Sequence, residues 1–319
     1  MAAAHPEKFS ASSVDETSIQ ELVDNFFLKD KATMLWRPAQ GEELPTPNTN
    51  EIVVLKPYFQ RGFGLPSCSF LRLLLEHYQI ELVNLHPNSI LQIAIFVHFC
   101  EAFLAISPDL DLFKYYFFLK LQPSAADPQI FGGVGLQARP NRQFLPSFLK
   151  SSLKGWHSQW FYCANHQPVL PSFVGSLPEY KASWKAAPDA KVMTAVLSQV
   201  ARVNRYRELG LTGVMVAANW LIRRVIPLKE QSHPAWDYTG LDDSTCETSK
   251  RLGERKLRAL LGDLFTDVSN WALPDGVGVF NAGVDRCAVR FSYSSILADS
   301  SSLLSLLLSD PVRSLPRLF

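Results

Sequence analysis

The chain has 319 residues and a mass of 35.8 kDa, with 31 lysines and arginines against 30 aspartates and glutamates, which gives a formal net charge of +1. This balance excludes a uniformly basic nucleic-acid coat protein and an acidic, solvating tail protein. Hydrophobic residues make up 47% of the sequence and aromatic residues 12%, which excludes a disordered chain and predicts a buried core. Because prolines (21) outnumber glycines (16), we expect short elements joined by irregular, proline-rich loops.

The first residues carry no sign of secretion. Residues 1–16 contain charged side chains and lack the apolar stretch of a signal peptide, so we expect a flexible N-terminus. The five cysteines include no Cys-x-x-Cys pair, a pattern typical of reduced thiols inside the cell. No run approaches the roughly 18 apolar residues of a membrane span. We therefore predict a soluble, intracellular protein of the nucleus or the cytoplasm, with no membrane partner.

Residues 17–125 carry the patterns of a helical core. A capping box, Ser18-x-x-Glu21, predicts the start of the first helix, because the two side chains satisfy each other's free backbone N–H groups. The β-branched run EIVVL at 51–55, followed by Pro57, predicts a short strand at the edge of a sheet.

Three more helices complete the predicted core. Ser67 and Asn88 are placed to cap two of them, and the second, which ends before Pro108, is apolar on nearly every side. We expect that helix at the centre of the core. A third is predicted to begin at Asp109–Asp111 and to run through Phe117, because acidic residues are favourable at the positive end of a helix dipole.

The segment 128–178 differs from the rest because it contains no aspartate or glutamate. It holds a glycine-rich turn, FGGVG, at 131–135 and a tryptophan-rich run, GWHSQWFYC, at 155–163. The end of the second run has strand propensity, so we expect a few short strands within 130–175.

The remaining regions are a second helical block over 189–226, in which Asp189 is placed as a cap, a basic helix over 247–265, and a low-complexity Gly/Ser/Leu tail over 266–319. The predicted fold is mainly α with minor β. It consists of a helical core domain with a few short strands and irregular proline-rich loops, within a main domain over 17–246.

Motifs with catalytic or metal-binding chemistry are incomplete. The glycines of 131–135 lack the spacing of a phosphate-binding loop. Cys163 and His166, with His157 upstream, supply three zinc ligands where a structural site takes four. The pair Asp242–Asp243 lacks the flanking residues of a polymerase or an aspartic protease. We therefore predict no catalytic residue, no metal and no cofactor, and we infer no small-molecule ligand.

Basic residues are the remaining chemical signal. Lysine and arginine are also favoured in the last turn of a helix without any ligand, and the pI of 7.7 is below the value of about 9 typical of nucleic-acid-binding domains. Tyr206 and Trp220 lie near some of these residues, at spacings more typical of core anchors. The expected partners are nucleic acid or a second copy of the chain. The candidate nucleic-acid-binding residues are Arg139, Arg142, Lys150, Lys154, Arg202, Arg205, Arg207, Arg223 and Arg224. If 139–174 packs beside the arginines of 202–224, they form one acid-poor basic face.

Several long strings carry a family resemblance. They are PYFQRGFGLP at 57–66, FLRLLLEHY at 70–78, LHPNSILQIAIFVHFCEAFLAI at 85–106, GWHSQWFYC at 155–163 and RRVIPLKEQSHPAWDYTGLDDST at 223–245. In order and spacing they resemble the gypsy-type transposon domain of plants, also described as transposase-like, across residues 17–245. The resemblance implies a retrotransposon-derived plant protein and brings no established catalytic residues with it.

Three functional hypotheses follow. The first is a non-catalytic structural or interaction module, gag-like in assembling with itself or with nucleic acid. The second is a metal-dependent transposase or nuclease-type strand transferase, which requires converging carboxylates. These would come from Asp109, Asp111, Asp127, Asp237, Asp242 and Asp243. The third is a degenerate, non-functional transposon remnant.

Overall fold

The structure, a computed structural model, describes residues 7–122, 127–150, 153–221, 254–266 and 268. Within these residues lie eight α-helices and five β-strands, and the strands form two small antiparallel sheets. Helices account for 41% of this part of the chain and strands for 13%. The protein is therefore a mixed α/β fold, and our prediction of a mainly α fold with minor β is wrong.

A buried helix forms the centre of the helical part. The helices are α1 Glu16–Asp24, α2 Lys56–Gln60, α3 Ser69–Tyr78, α4 Pro87–Ala102, α5 Leu110–Tyr116, α6 Met193–Glu208, α7 Gly213–Trp220 and α8 Glu254–Leu264. Nearly every side chain of α4 is buried, as its apolar pattern predicts. Phe96 and Phe99 of α4 each pack against Phe144, with ring centroids 5.8 and 5.6 Å apart, respectively. The segment without acids is thereby joined to the core.

The larger sheet has three strands in the order β1–β5–β2, namely β1 Trp36–Arg37, β5 Trp160–Ala164 and β2 Glu51–Leu55. The central strand β5 is antiparallel to both neighbours, with Val53 opposite Tyr162. All of β5 and most of β2 are buried. The predicted strands at 51–55 and at the end of 155–163 are confirmed.

The smaller sheet explains part of the error in fold class. It pairs β3 Phe117–Leu121 with β4 Val134–Ala138. The sequence predicts a helix through Phe117, but α5 ends at Tyr116 and the aromatic run turns directly into β3. Aromatic residues fit a pleated, half-buried surface well. Here residues 117–121 form a strand and not a helix because they pair with β4.

Four helices begin at caps other than those predicted. The cap of α3 is Cys68 and not Ser67, and α6 begins after Val192 and not at Asp189. Asp15 caps α1, since its carboxylate accepts a hydrogen bond of 2.8 Å from the backbone N–H of Ser18. His86 caps α4 through Nδ1, which accepts from the N–H of Asn88 at 3.1 Å. Pro87 occupies the first helical position, where its missing N–H costs nothing, and this places the cap at His86, two residues before the predicted Asn88.

The N-terminal segment packs against the larger sheet. We expected residues 1–16 to be flexible, but 7–15, called here the N-terminal strap, lie along the core. The indole of Trp160 donates to the carbonyl of Ser10 at 2.8 Å, and the hydroxyl of Ser12 donates to the carbonyl of Trp160 at 2.6 Å. These bonds hold the strap because each satisfies a group that would otherwise be buried alone.

Glu7 begins the strap with a buried carboxyl group. Only 3% of the residue is exposed, and Oε1 accepts a hydrogen bond of 2.8 Å from Asn84. Oε2 is buried without a hydrogen-bond partner among the described residues. Burial raises the pKa of Glu7 to about 8, against the lowering effect of Asn84 and with a further increase from Glu81. Glu7 is thus mainly protonated at neutral pH.

The C-terminal part is described only at α8. This helix lies within the basic helix predicted over 247–265, and Leu257 and Leu261 on its apolar face are buried. The residues 222–253 and 269–319, with most of the predicted low-complexity tail, lie outside the described residues. Within the described ranges, no helix combines the length and apolar character needed to cross a bilayer.

Candidate nucleic-acid interface

Arg139 ties three separate parts of the backbone together. It follows β4 directly, and its Nε donates to the carbonyl of Lys114 at 2.6 Å. Its Nη2 donates to the carbonyls of Lys185 and Ala186 at 3.1 and 2.8 Å, respectively. The guanidinium is therefore held in place by carbonyl oxygens, which neutralise none of its charge.

Arg142 lies over an aromatic ring. Its Cζ atom is 4.4 Å from the ring centroid of Tyr115, and its Nη1 donates to the Tyr115 carbonyl at 3.3 Å. Arg139 makes a looser contact of the same kind, with Cζ 5.6 Å from the ring centroid of Phe118. Tyr115 and Phe118 are both half-buried, in the last turn of α5 and in β3, respectively.

Arg207 reaches the same region from a helix more than sixty residues later in the chain. It lies in the last turn of α6, and its Nη1 donates to the carbonyl of Gln143 at 2.9 Å. The N–H of Gly213 donates to the carbonyl of Pro146 at 2.8 Å, so the segment after β4 lies against the junction of α6 and α7. We call Arg139, Arg142 and Arg207 the arginine cluster.

Within the described residues, the charge of the arginine cluster is not compensated by an acidic side chain. Salt bridges in the described part of the chain involve none of its three guanidinium groups. Asp111 on α5 instead pairs with Lys114 at 2.8 Å. Burial lowers the pKa of Arg139, and the neighbouring charge of Arg142 lowers it further. The cluster therefore attracts anions, and an anion would relieve this repulsion.

Two other candidate arginines lie earlier on α6. Arg202 donates to the carbonyl of Leu104 at 2.7 Å and to the side chain of Gln199 at 3.0 Å. Leu104 follows the C-terminus of α4, where a cation is favourable without any ligand. Arg205 lies one turn beyond Arg202 on the same helix.

The candidate lysines do not join the cluster. The carbonyl of Lys150 accepts a hydrogen bond of 2.8 Å from Asn88, in the first turn of α4. Tyr206, next to Arg207, packs against Phe103 just past the opposite end of this 16-residue helix, about 22 Å away at the usual rise per residue. Lys154 is exposed. Arg223 and Arg224 lie outside the described residues, so five of the nine candidates are distributed along α6 and the segment after β4.

The aromatic partners of the cluster are absent from the sequence prediction. The tyrosine named there, Tyr206, donates its hydroxyl to the Phe103 carbonyl at 2.8 Å and packs in the core, and Trp220 is buried. The rings that contact the arginines are Tyr115 and Phe118. Their signal in the sequence is the aromatic run that contains them, YYFF at 115–118, although nothing local links it to arginines more than twenty residues later.

Potential metal ligands are dispersed. Cys163 is fully buried, and burial raises the pKa of its thiol well above the ordinary value. His157 stacks on Trp156 with ring centroids 3.6 Å apart, while His166 is exposed. Over the ranges that the structure describes, no three histidine, cysteine or acidic side chains are grouped closely enough to hold a metal ion.

The carboxylates of the strand-transferase hypothesis have separate structural partners where they are described. Asp109 caps α5 by accepting from the N–H of Leu112 at 2.7 Å, and Asp127 pairs with Lys8 at 3.2 Å. Asp111 is held by Lys114. The other three, Asp237, Asp242 and Asp243, lie outside the described residues.

Fold and site together define a mixed α/β protein whose described surface carries an uncompensated arginine cluster and no assembled catalytic group. Comparison with family models gives a match over residues 52–121 to the family described as "Putative gypsy type transposon". This segment of the chain is therefore similar to the gypsy-type transposon family. The match covers β2 to β3 and is shorter than the resemblance expected over 17–245. Neither the curated proteins nor the solved structures gave a match to the chain.

Proposed function

We propose that this retrotransposon-related protein is a non-catalytic module that associates with nucleic acid through the sugar–phosphate backbone. The observation that supports the proposal is the arginine cluster. Two of its arginines follow β4 and bond to the C-terminal end of α5, and the third, more than sixty positions later at the end of α6, bonds to the segment that carries the first two.

The way in which the arginines are held suits a phosphate ligand. A guanidinium has five N–H donors, and Arg142 and Arg207 each use one of them on a backbone carbonyl. The remaining donors have no partner among the described residues and can bind phosphate oxygens, which arginine does in a bidentate manner. Because the side chains are already fixed, less rotamer entropy is lost on binding than for extended surface lysines.

The test is filter binding of labelled single-stranded RNA, single-stranded DNA and duplex DNA across a salt series. The charge-removing variant is Arg142→Gln with Arg207→Gln, since each of these arginines makes one carbonyl bond in the described part of the chain. The matched control is Lys31→Gln with Lys191→Gln, which removes the same charge from exposed positions elsewhere.

For the wild type we expect affinity to fall with salt. The arginine variant should reduce the slope of log K against log [salt] by about 1.4 for single strands, because each neutralised phosphate contributes about 0.7. The control should leave the slope unchanged. Binding that is indifferent to salt, or equal slopes for the two double variants, would overturn the proposal.

A further inference from the structure

The arginine cluster presents flat surfaces as well as charge. Arg142 lies 4.4 Å from the ring centroid of Tyr115, and Arg139 lies 5.6 Å from that of Phe118. Tyr115 and Phe118 are three residues apart at the junction of α5 and β3, so both guanidinium–ring pairs are built on the same short stretch of chain. An arginine plane supported from below by an aromatic ring is a stacking surface for a nucleobase.

The same contacts restrict how far the arginines can reach. Arg139 is bonded to three carbonyl oxygens and Arg142 to one, so both guanidinium groups are fixed against the protein surface. Direct reading of a duplex requires side chains that project into a groove, because the base edges are presented there. Bases that are not paired can instead come to the protein and stack on a flat surface.

From this geometry we propose that the cluster prefers single-stranded to duplex nucleic acid and stacks unpaired bases on the Arg142–Tyr115 and Arg139–Phe118 pairs. This inference rests on the proposed nucleic-acid function and specifies its ligand. The phosphates bind the positive charges of the arginine cluster, and the bases stack on its guanidinium groups. Tyr115 and Phe118 act as positioning residues, because their rings contact the guanidinium groups.

Two charge-neutral substitutions separate stacking from charge. Arg142→Lys keeps the positive charge and removes the planar guanidinium group. Tyr115→Leu removes the supporting ring and keeps an apolar side chain. Phe148→Leu is the matched control, since Phe148 is a strongly exposed aromatic residue beyond the cluster in the same segment. Thermal unfolding of each variant establishes that it is folded, and Phe118→Leu replaces Tyr115→Leu if the latter unfolds.

The measurement compares a 20-nucleotide oligo(U), a 20-nucleotide oligo(dT) and a 20-base-pair duplex at one salt concentration. We expect the wild type to bind the single strands more tightly, and Arg142→Lys and Tyr115→Leu each to weaken that binding about tenfold. Their salt slopes and their duplex binding should stay at wild-type values, and Phe148→Leu should bind as the wild type does.

Equal or tighter duplex binding, or an equal loss for single strands and duplex, would overturn the inference about single strands. Such a result would leave the phosphate-binding function in place, because that function is tested by the salt slope of the Arg142→Gln and Arg207→Gln variant. A wild-type slope in that variant would overturn both.

Discussion

Replacement of Glu7 by glutamine is expected to stabilise the protein at and above neutral pH and to leave it almost unchanged in acid. The carboxyl group is buried, with one oxygen bonded to Asn84 and the other without a hydrogen-bond partner in the described part of the chain. An ionised carboxylate there loses its hydration and gains no cation in return. Glutamine keeps the acceptor for Asn84 and cannot ionise.

The magnitude follows from the pKa, which is 4.5 as the ordinary value and about 8 in the folded protein. Between these values the folded state holds a proton that the unfolded state has released, so the free energy of unfolding falls as pH rises. Each pH unit contributes about 1.4 kcal/mol. The loss in the free energy of unfolding of the wild type is absent below the ordinary pKa, reaches about 3 kcal/mol at pH 7, and approaches about 5 kcal/mol above pH 8.

Urea denaturation at pH 5, 7 and 8.5 measures the effect. Tryptophan fluorescence is a suitable signal because the indole of Trp160 is bonded to the N-terminal strap. The free-energy gain of Glu7→Gln should grow with pH towards the values above, whereas Glu43→Gln, at an exposed position, should show no such trend. A gain that is equal at all three pH values, or a loss at pH 8.5, would refute the reasoning.

Two further predictions use the same denaturation assay. Gly132 and Gly41 have similar left-handed φ angles, +79° and +81°, so alanine at either position introduces about 1–2 kcal/mol of backbone strain. An alanine side chain at position 132 would also overlap the Trp156 ring, whereas one at position 41 would have no atom of the described residues within 4 Å. Gly132→Ala should therefore lower the free energy of unfolding clearly more than Gly41→Ala, and equal losses would contradict this. Arg37→Met should cost about 1–2 kcal/mol, because Arg37 binds Glu51 through two hydrogen bonds of 2.9 Å. Burial raises the pKa of Glu51, but bonds from Arg37 and from a loop N–H outweigh this effect and hold it below the ordinary 4.5. The pair therefore stabilises the protein at neutral pH, and this stabilisation is lost as pH falls through the folded pKa of Glu51. As pH is lowered, the free energy of unfolding of Arg37→Met should therefore fall less than that of the wild type.

The parts of the fold that were predictable are those with a local cause. The run 51–55 is β-branched and forms β2, and the apolar residues before Pro108 form the buried helix α4. The fold class was not predictable in the same way. β1 consists of Trp36–Arg37 alone, which has no periodicity, and it exists because it pairs with Tyr162 and Cys163 far along the chain.

The candidate site shows the same division. The absence of acids from 128–178 is a property of composition and is visible in the sequence. The convergence of Arg139 and Arg207 is not, because it depends on bonds to the carbonyls of Lys114 and Gln143. Lys150 has the same acid-free surroundings in sequence, yet the chain carries it to the other end of α4.

The sheet topology has a consequence for synthesis and for fragments of this chain. The middle strand β5 is made last, so β1 and β2 have no shared partner until residue 164 has left the ribosome. The family-matched segment 52–121 contains β2 and β3 but neither β5 nor β4, the strands to which they bond. Produced alone, this segment exposes two unpaired strand edges and is expected to aggregate. The smallest unit that closes both sheets extends from β1 to β5, about twice the length over which the family is recognised.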